Sequence, residues 1–326
     1  MNKSLYTTLR RAALMLAVAV VPAAHAADAW PSKPIHLIVP YAAGGPTDIA
    51  ARVIAHGLGE SLKTPVIVEN KGGGNGFIGA LHTAKSPADG YTVMMSSLAM
   101  AINPLLYEKV PYDPNKDFVP LSLVLTIPMV AVVNPKVLPV DSVPALVSYL
   151  KAHPGSVNYA SSGTGGSSHL IAEYFKASTG TTMTHVAYRG SGPALVGLVA
   201  GEVQVMFDAL LSTAPQIKSG NLRMLAVATS KRLPDYPNVP TIAESLGTDF
   251  EASSWYGMYA PAGTPPDIVQ KLSAEINKTL KTPEVKKRLS DLGAVTIGST
   301  PQALADYQRA EQAKWRKVIE AGKIKL

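Results

Sequence analysis

The chain has 326 residues, of which 47% are hydrophobic and 16% charged, and it contains no cysteine. Disulfides, thiol nucleophiles, thiolate metal sites and a lipid-anchored cysteine are therefore excluded, and stability must come from burial. The formal net charge of +7 falls to +4 once residues 1–26 are set aside, since they carry three basic residues and no acid. With aromatics at 6%, the chain also lacks the basic, aromatic-interleaved patch of a nucleic-acid binder.

Residues 1–26 read as a secretory leader. Lys3, Arg10 and Arg11 form its basic segment, residues 12–21 its apolar segment, and Ala24-His25-Ala26 its cleavage site. The mature chain is expected to start at Ala27 and to be periplasmic. No other apolar run approaches the roughly 20 residues of a membrane span.

The first fold element is a short apolar strand over 35–41. A helix follows with its start written out: Gly45 at the N-cap, Pro46 at the first helical position and Asp48 in the first turn. The small residues 42–45 leave amides open at a helix N-terminus, a geometry that suits an anion. Residues 65–80 repeat the pattern with four glycines between strand and helix. Residues 157–177 repeat it again, with Ser167, Ser168 and His169 in the first helical turn.

Between these repeats, a turn at Asp89-Gly90 leads to a strand over 91–96, a loop over 97–103 and a proline-rich irregular stretch over 104–120. Residues 121–133, interrupted only by Pro128, predict a strand crossing between domains, and 143–151 predict a helix. Beyond the third turn come a strand over 184–188, a loop over 189–192, a helix over 193–200 and a strand over 203–207 that ends at Asp208. A helix near 214–219 and a strand over 223–229 follow. Residues 250–260 supply the return crossing. Past Pro265 the chain is helical, with Ile268, Leu272, Ile276 and Leu280 forming one apolar stripe.

Strands alternating with helices predict an α/β fold with parallel sheets covered on both faces. The two crossings divide it into two doubly wound domains with a ligand cleft between them. Domain 1 is expected over 27–127 plus 253–326, and domain 2 over 128–252.

The residues do not support a catalytic or metal site. No G-x-S-x-G is present, and Ser168 and His169, adjacent on a helix, point about 100° apart rather than at each other. His36, His56, His82, His153, His169 and His185 never fall three or four apart, so no helical metal motif exists and no cofactor is expected. Residues 74–79 match G-x-G-x-x-G. The fingerprint is incomplete, because residues 70–73 separate it from its strand and no acid lies about 20 residues further on. Binding is the reading that remains, with an exported α/β enzyme acting on a small carboxylate or nucleotide-like substrate as the competing one.

The sequence resembles the extracytoplasmic receptors of tripartite tricarboxylate transporters, the Bug receptor family, over the whole chain after the leader. The resemblance is carried by Tyr41, Gly44-Gly45, Asp48 and Ala51-Arg52, and by Val68-Glu69-Asn70-Lys71 with Gly74, Gly76 and Gly79. In the second half it is carried by Asn158-Tyr159, Ser161-Ser162-Gly163, Ser167-Ser168-His169-Leu170, His185-Val186, Tyr188-Arg189-Gly190 and Met206-Phe207-Asp208. Val239-Pro240-Thr241 and Trp255-Tyr256-Gly257 extend it. Gly72 and Ala187 stand where proline is frequent in the family.

The resemblance implies a type II periplasmic-binding-protein fold that captures a small carboxylate, whether a di- or tricarboxylate, an aromatic acid or an amino acid. It also implies transient contact with integral-membrane transporter subunits, and a monomer is expected. The ligand-binding residues are expected on the first turn (Tyr41, Ala43, Gly44, Gly45, Thr47, Asp48), the glycine-rich turn (Asn75, Gly76) and Ser97. In the second domain they are expected on the serine-rich turn (Ser162, Thr164, Gly165, Ser167, Ser168, His169), at Tyr188 and at Asp208, which ends a strand where α/β sheets place ligands. Asp48, an acid beside a carboxylate, is expected to hold a water that donates to the ligand.

Overall fold

The computed structural model describes residues 30–321 and 324, so the leader and the start at Ala27 lie outside the described residues. The apolar strand β1 (Ile35–Val39) opens the fold, followed by α1 (Pro46–Leu62), β2 (Val66–Asn70), a 3-10 turn (Gly74–Gly76) and α2 (Phe77–Ala84). Next come β3 (Thr92–Ser97), α3 (Ala99–Leu106), β4 (Phe118–Val133) and α4 (Val143–Ala152). Then follow β5 (Asn158–Ser161), α5 (Ser167–Thr179), β6 (Thr184–Ala187), α6 (Ser191–Ala200), β7 (Val205–Ala209), α7 (Leu210–Lys218) and β8 (Arg223–Val227). The chain closes with α8 (Ile242–Leu246), β9 (Ser253–Pro261), α9 (Pro266–Lys281), α10 (Pro283–Asp291), β10 (Val295–Thr296) and α11 (Pro301–Ala321).

Among the described residues the strands form one ten-stranded sheet in the order β2-β1-β3-β9-β4-β7-β5-β6, with β8 and β10 also pairing with β4. The parallel pairing expected from alternation holds for β1 with β2 and β3, and for β5 with β6 and β7. The centre is antiparallel, because β9 and β4 are consecutive partners that run between the two parallel sets.

Strand β4 explains its own length. Residues from Phe118 to Pro128 pair with β9, and from Met129 onward the partners are β7 and β8. Pro128 sits where the partners change, a position at which a residue without an N–H costs the ladder least. From Lys33 onward the chain forms one compact unit. Helix α11 is pinned to β9 by buried polar bonds: Trp255 and Trp315 both donate their indole N–H to Glu311 at 3.2 Å, and Tyr259 donates to Gln308 at 2.8 Å.

Several expectations change. Residues 97–103 were expected as loop, yet 99–106 are helical. Burial of Ala99, Met100, Ala101 and Ile102 outweighs the bond that Pro104 cannot make. Helix α6 starts at Ser191 rather than Pro193, because a proline third in a helix removes an N–H that has no intrahelical partner anyway. Helix α7 follows β7 directly, at Leu210 rather than near Ala214. The short elements α8 and β10 carry too little periodicity to be read from sequence.

Candidate ligand-binding cleft

The N-termini of α1, α5 and α6 meet at one cavity, and the N-cap of α7, Ala209, also borders it. The turn from β1 to α1 contributes Tyr41, Ala42, Gly45, Pro46 and Thr47, and the turn from β5 to α5 contributes Ser162 and Ser167. The turn from β6 to α6 contributes Gly190 and Ser191. The ends of β3 and β7 add Ser97, Asp208 and Ala209, while Met129 of β4 and Ser254 and Tyr256 of β9 complete the lining. About 450 Å³ of space, open mouth included, lies among these residues. No Lys, Arg or His is among these lining residues.

Local sequence explains each approach. Gly45 has extended backbone at the N-cap of α1, and Pro46 leaves no N–H to satisfy at the first position. Gly190, at φ +119°, turns the chain into α6 in a conformation that a side chain would strain, and a Cβ there would stand 3.0 Å from the Ala42 side chain. The turns on either side of the cavity therefore touch.

Hydroxyls are the commonest polar side-chain groups of the lining. Tyr41 Oη lies 2.7 Å from Ser97 Oγ, and the Ala99 amide donates to that same Ser97 oxygen at 3.3 Å. The Ser162 amide donates to Ser168 Oγ at 2.8 Å, and the two serine oxygens are 2.9 Å apart. Ser168 is buried, and either hydroxyl of this pair can donate to the other.

Asp208 lines the same cavity. Ser191 donates to Oδ1 at 3.0 Å and Ser212 to Oδ2 at 2.8 Å. Burial pushes its carboxyl up to about 6, against the lowering effect of Ser212, the Ala209 amide and Ser191. Tyr256 is also raised by burial, with the Asp208 charge contributing further.

Of the residues expected to bind, Tyr41, Gly45, Thr47, Ser97, Ser162, Ser167 and Asp208 line the cavity. The others stand around it. Asp48 accepts from the Gly44 amide at 2.9 Å, from Arg52 Nε at 3.1 Å and from Asn70 Nδ2 at 3.0 Å, so it ties the first turn together. Burial raises its carboxyl, but Arg52, the Gly44 amide and Asn70 outweigh that and hold it below the usual range. Ala43 presents its carbonyl toward Gly192, where a Cβ would lie 3.4 Å away.

The glycine-rich turn buttresses the first one instead of lining the cavity. A Cβ on Gly76 would meet the Tyr41 ring at 3.4 Å, and Asn75 donates to Asn103 at 2.7 Å. Thr164 accepts the Tyr107 hydroxyl at 2.5 Å, and Gly165 donates its amide to His169 Nδ1 at 3.1 Å. Tyr188 points to Glu202, at 3.1 Å.

Ala42, Pro46, Met129, Gly190, Ser191, Ala209, Ser254 and Tyr256 were missed. Ser191 was hidden by the late helix start read from Pro193. Ser254 and Tyr256 share one face of β9 by alternation, which was the available signal. Among the described residues no cluster of acids and histidines forms a metal site, and no helix is long and apolar enough to cross a membrane.

Residues 50–324 match the model of the tripartite tricarboxylate transporter family receptor. The chain belongs to this receptor family. Protein BugT of Bordetella pertussis is 39% identical over 315 residues, 96% of either chain. The structure of Rpa4515 from R. palustris with adipate superimposes with a TM-score of 0.89 at 38% identity, covering 91% of this chain and 99% of that one. MatC (Rpa3494) from Rhodopseudomonas palustris with bound malate gives 0.83 at 32% identity, covering 89% and 100%. The fold is accordingly that of the periplasmic binding proteins of this family.

Proposed function

We propose that the protein is a periplasmic solute-binding receptor that captures one small carboxylate in this cavity and delivers it to the integral-membrane subunits of a tripartite tricarboxylate-type transporter. The observation that carries the reading is the convergence of α1, α5 and α6, N-termini first, on a cavity lined by serine, threonine and tyrosine hydroxyls. Each helix end favours a carboxylate by about 0.3–1 kcal/mol, and up to about 2 kcal/mol when partly buried. Hydrogen bonds to a charged group contribute about 1.5–3 kcal/mol each. An anion can therefore be held without arginine. The adipate and malate carried by Rpa4515 and MatC support the ligand class.

In this reading Tyr41, Gly45, Thr47, Ser97, Ser162, Ser167 and Asp208 contact the ligand directly or through water. Residues 27–127 with 253–326 form one domain and 128–252 the other. Strands β4 and β9 join them and let the cleft close as a hinge. The leader sends the chain to the periplasm, where it acts as a monomer.

The test is thermal unfolding of ligand-stripped protein against mono-, di- and tricarboxylates, aromatic acids and amino acids. A bound acid at 100 times its Kd adds about 2.7 kcal/mol, which raises the melting temperature by several degrees, on the order of 5. No shift with any of these acids would remove the receptor reading.

A further inference from the structure

Asp208 is the one acid among the residues that line the cavity, and no cation accompanies it there. It ends β7, is buried, and receives hydrogen bonds only from Ser191 and Ser212 side chains and the Ala209 amide. The N-terminus of α7, capped at Ala209, faces it with partial positive charge, but among the described residues the elements packed around it supply no side-chain counter-charge. Strand β4, which pairs Val130 with Asp208, has no titratable residue, and neither does α6. Helix α7 carries Lys218, eight or more residues beyond the cavity. On α5, Glu173 bonds Lys176 and Tyr159, while His169 stacks on His185. Arg223 of β8 donates to the Val140 carbonyl. Arg189, on the loop before Ser191, is exposed, and Asp48 beside Thr47 is paired with Arg52; the titratable groups that line the cavity with Asp208 are the phenols of Tyr256 and Tyr41.

An anionic ligand in this cavity would thus meet a buried carboxylate across a few ångströms of low-dielectric space. Two carboxylates in that setting do not both stay ionised, and sharing one proton resolves the conflict. We propose that Asp208 takes up a proton as the ligand binds and donates it to a carboxylate oxygen of the bound acid, so that the site captures an anion together with a proton. This rests on the receptor reading above.

The proton leaves a hydronium ion or buffer acid, whose bond to it breaks as the Asp208 carboxyl O–H forms; it stays on Asp208, shared with the ligand only as a hydrogen bond, and returns to solvent on release. Burial has already lifted the empty-site carboxyl to about 6, and a neighbouring anion lifts it further, into the range where uptake occurs at neutral pH. Asp208 is then a specificity-determining residue. It favours ligands that place a carboxylate oxygen, rather than an ammonium group, beside β7.

The test is calorimetric titration of the ligand-stripped protein with adipate and with malate, each in two buffers of different ionisation enthalpy, at about pH 7.5, where the probes are fully ionised. The buffer dependence of the heat counts protons. The expected result is net uptake approaching one proton per ligand and a Kd that weakens by up to roughly tenfold per pH unit as pH rises. In Asp208→Asn the uptake vanishes and the Kd becomes flat with pH. Infrared difference spectra of the unsubstituted protein, independent of that variant's folding, should gain a protonated-carboxyl C=O band when adipate is added.

Binding without uptake or band overturns the inference while leaving the receptor reading standing. So does uptake that persists in Asp208→Asn, and so does binding of amino acids alone, with no uptake and with Asp208 needed at every pH. Absence of binding by either probe and by the wider acid panel removes the receptor reading and this inference together.

Discussion

The imidazoles of His169 and His185 stack with centroids 4.2 Å apart and planes 22° from parallel, directly behind the serine-rich turn of the cavity. His169 Nδ1 accepts the Gly165 amide at 3.1 Å, and His185 Nε2 lies 2.6 Å from Ser161 Oγ. A ring nitrogen that accepts an N–H carries no proton of its own, so His169 is held neutral. Burial, then the nearby His185, lower its pKa to about 4.

That pair predicts an acid-sensitive turn. The unfolded chain binds a proton at His169 below about 6.5 while the folded chain does not until about 4, so stability falls as pH falls through this window. The loss amounts to about 3 kcal/mol across the window. Urea unfolding of His169→Gln should show a flatter acid limb than the unsubstituted protein. Parallel limbs would contradict the prediction.

Asp208 acts in the opposite sense. Its folded pKa of about 6 lies above its ordinary 3.8, so the folded state holds the extra proton and stability falls as pH rises between those values. Above that window the cost is fully present. Asp208→Asn, without ligand, should therefore be more stable than the parent at neutral pH by up to about 3 kcal/mol, and the gain should disappear at about pH 4. A variant less stable at neutral pH would show that the Ser191 and Ser212 bonds outweigh the burial cost.

Asp48 holds the first turn through Gly44, Arg52 and Asn70. Asp48→Ala leaves the Asn70 amide with only the Tyr41 carbonyl to donate to and frees the Gly44 amide, at about 1–3 kcal/mol. The ligand-free melting temperature should fall and the carboxylate-induced shift should shrink, because the Gly45 and Thr47 amides lose their register. An undiminished shift in a destabilised protein would confine Asp48 to the helix start.

Tyr107, just past α3, reaches the serine-rich turn. Its hydroxyl donates to the Thr164 carbonyl at 2.5 Å, and a Cβ on Gly165 would stand 2.8 Å from the same oxygen. Tyr107→Phe removes a bond of about 0.5–1.5 kcal/mol. Stopped-flow release of bound acid should then speed up by about two- to tenfold, with ligand-free stability nearly unchanged. Unaltered release would show that this bond does not hold the cleft shut.

Where one dominant local preference decides the outcome, the sequence is readable. Gly45, Pro46 and Asp48 mark the start of α1, and Ile35, Leu37, Ile38 and Val39 mark a strand buried on both faces except at His36. Two preferences compete at Pro193 and Pro104, where a proline that usually marks a boundary lies within a helix that is paid for by burial or by its early position. The cavity was legible on the turns that carry Gly and Ser. On β9, alternation puts Ser254 and Tyr256 on one face, but only the pairing with β4 shows that this face meets the cavity. The glycine-rich turn has the composition of an anion site but packs on Tyr41, a placement set by tertiary contact alone.

The most direct measurement is calorimetric titration of ligand-stripped protein with a panel of small carboxylic acids that includes adipate and malate, paired with scattering on the same samples. The receptor account predicts saturable binding of one acid per chain, no turnover of that acid, and a smaller radius of gyration in the bound state. A folded protein that binds none of these acids, or that consumes the one it binds, would contradict it.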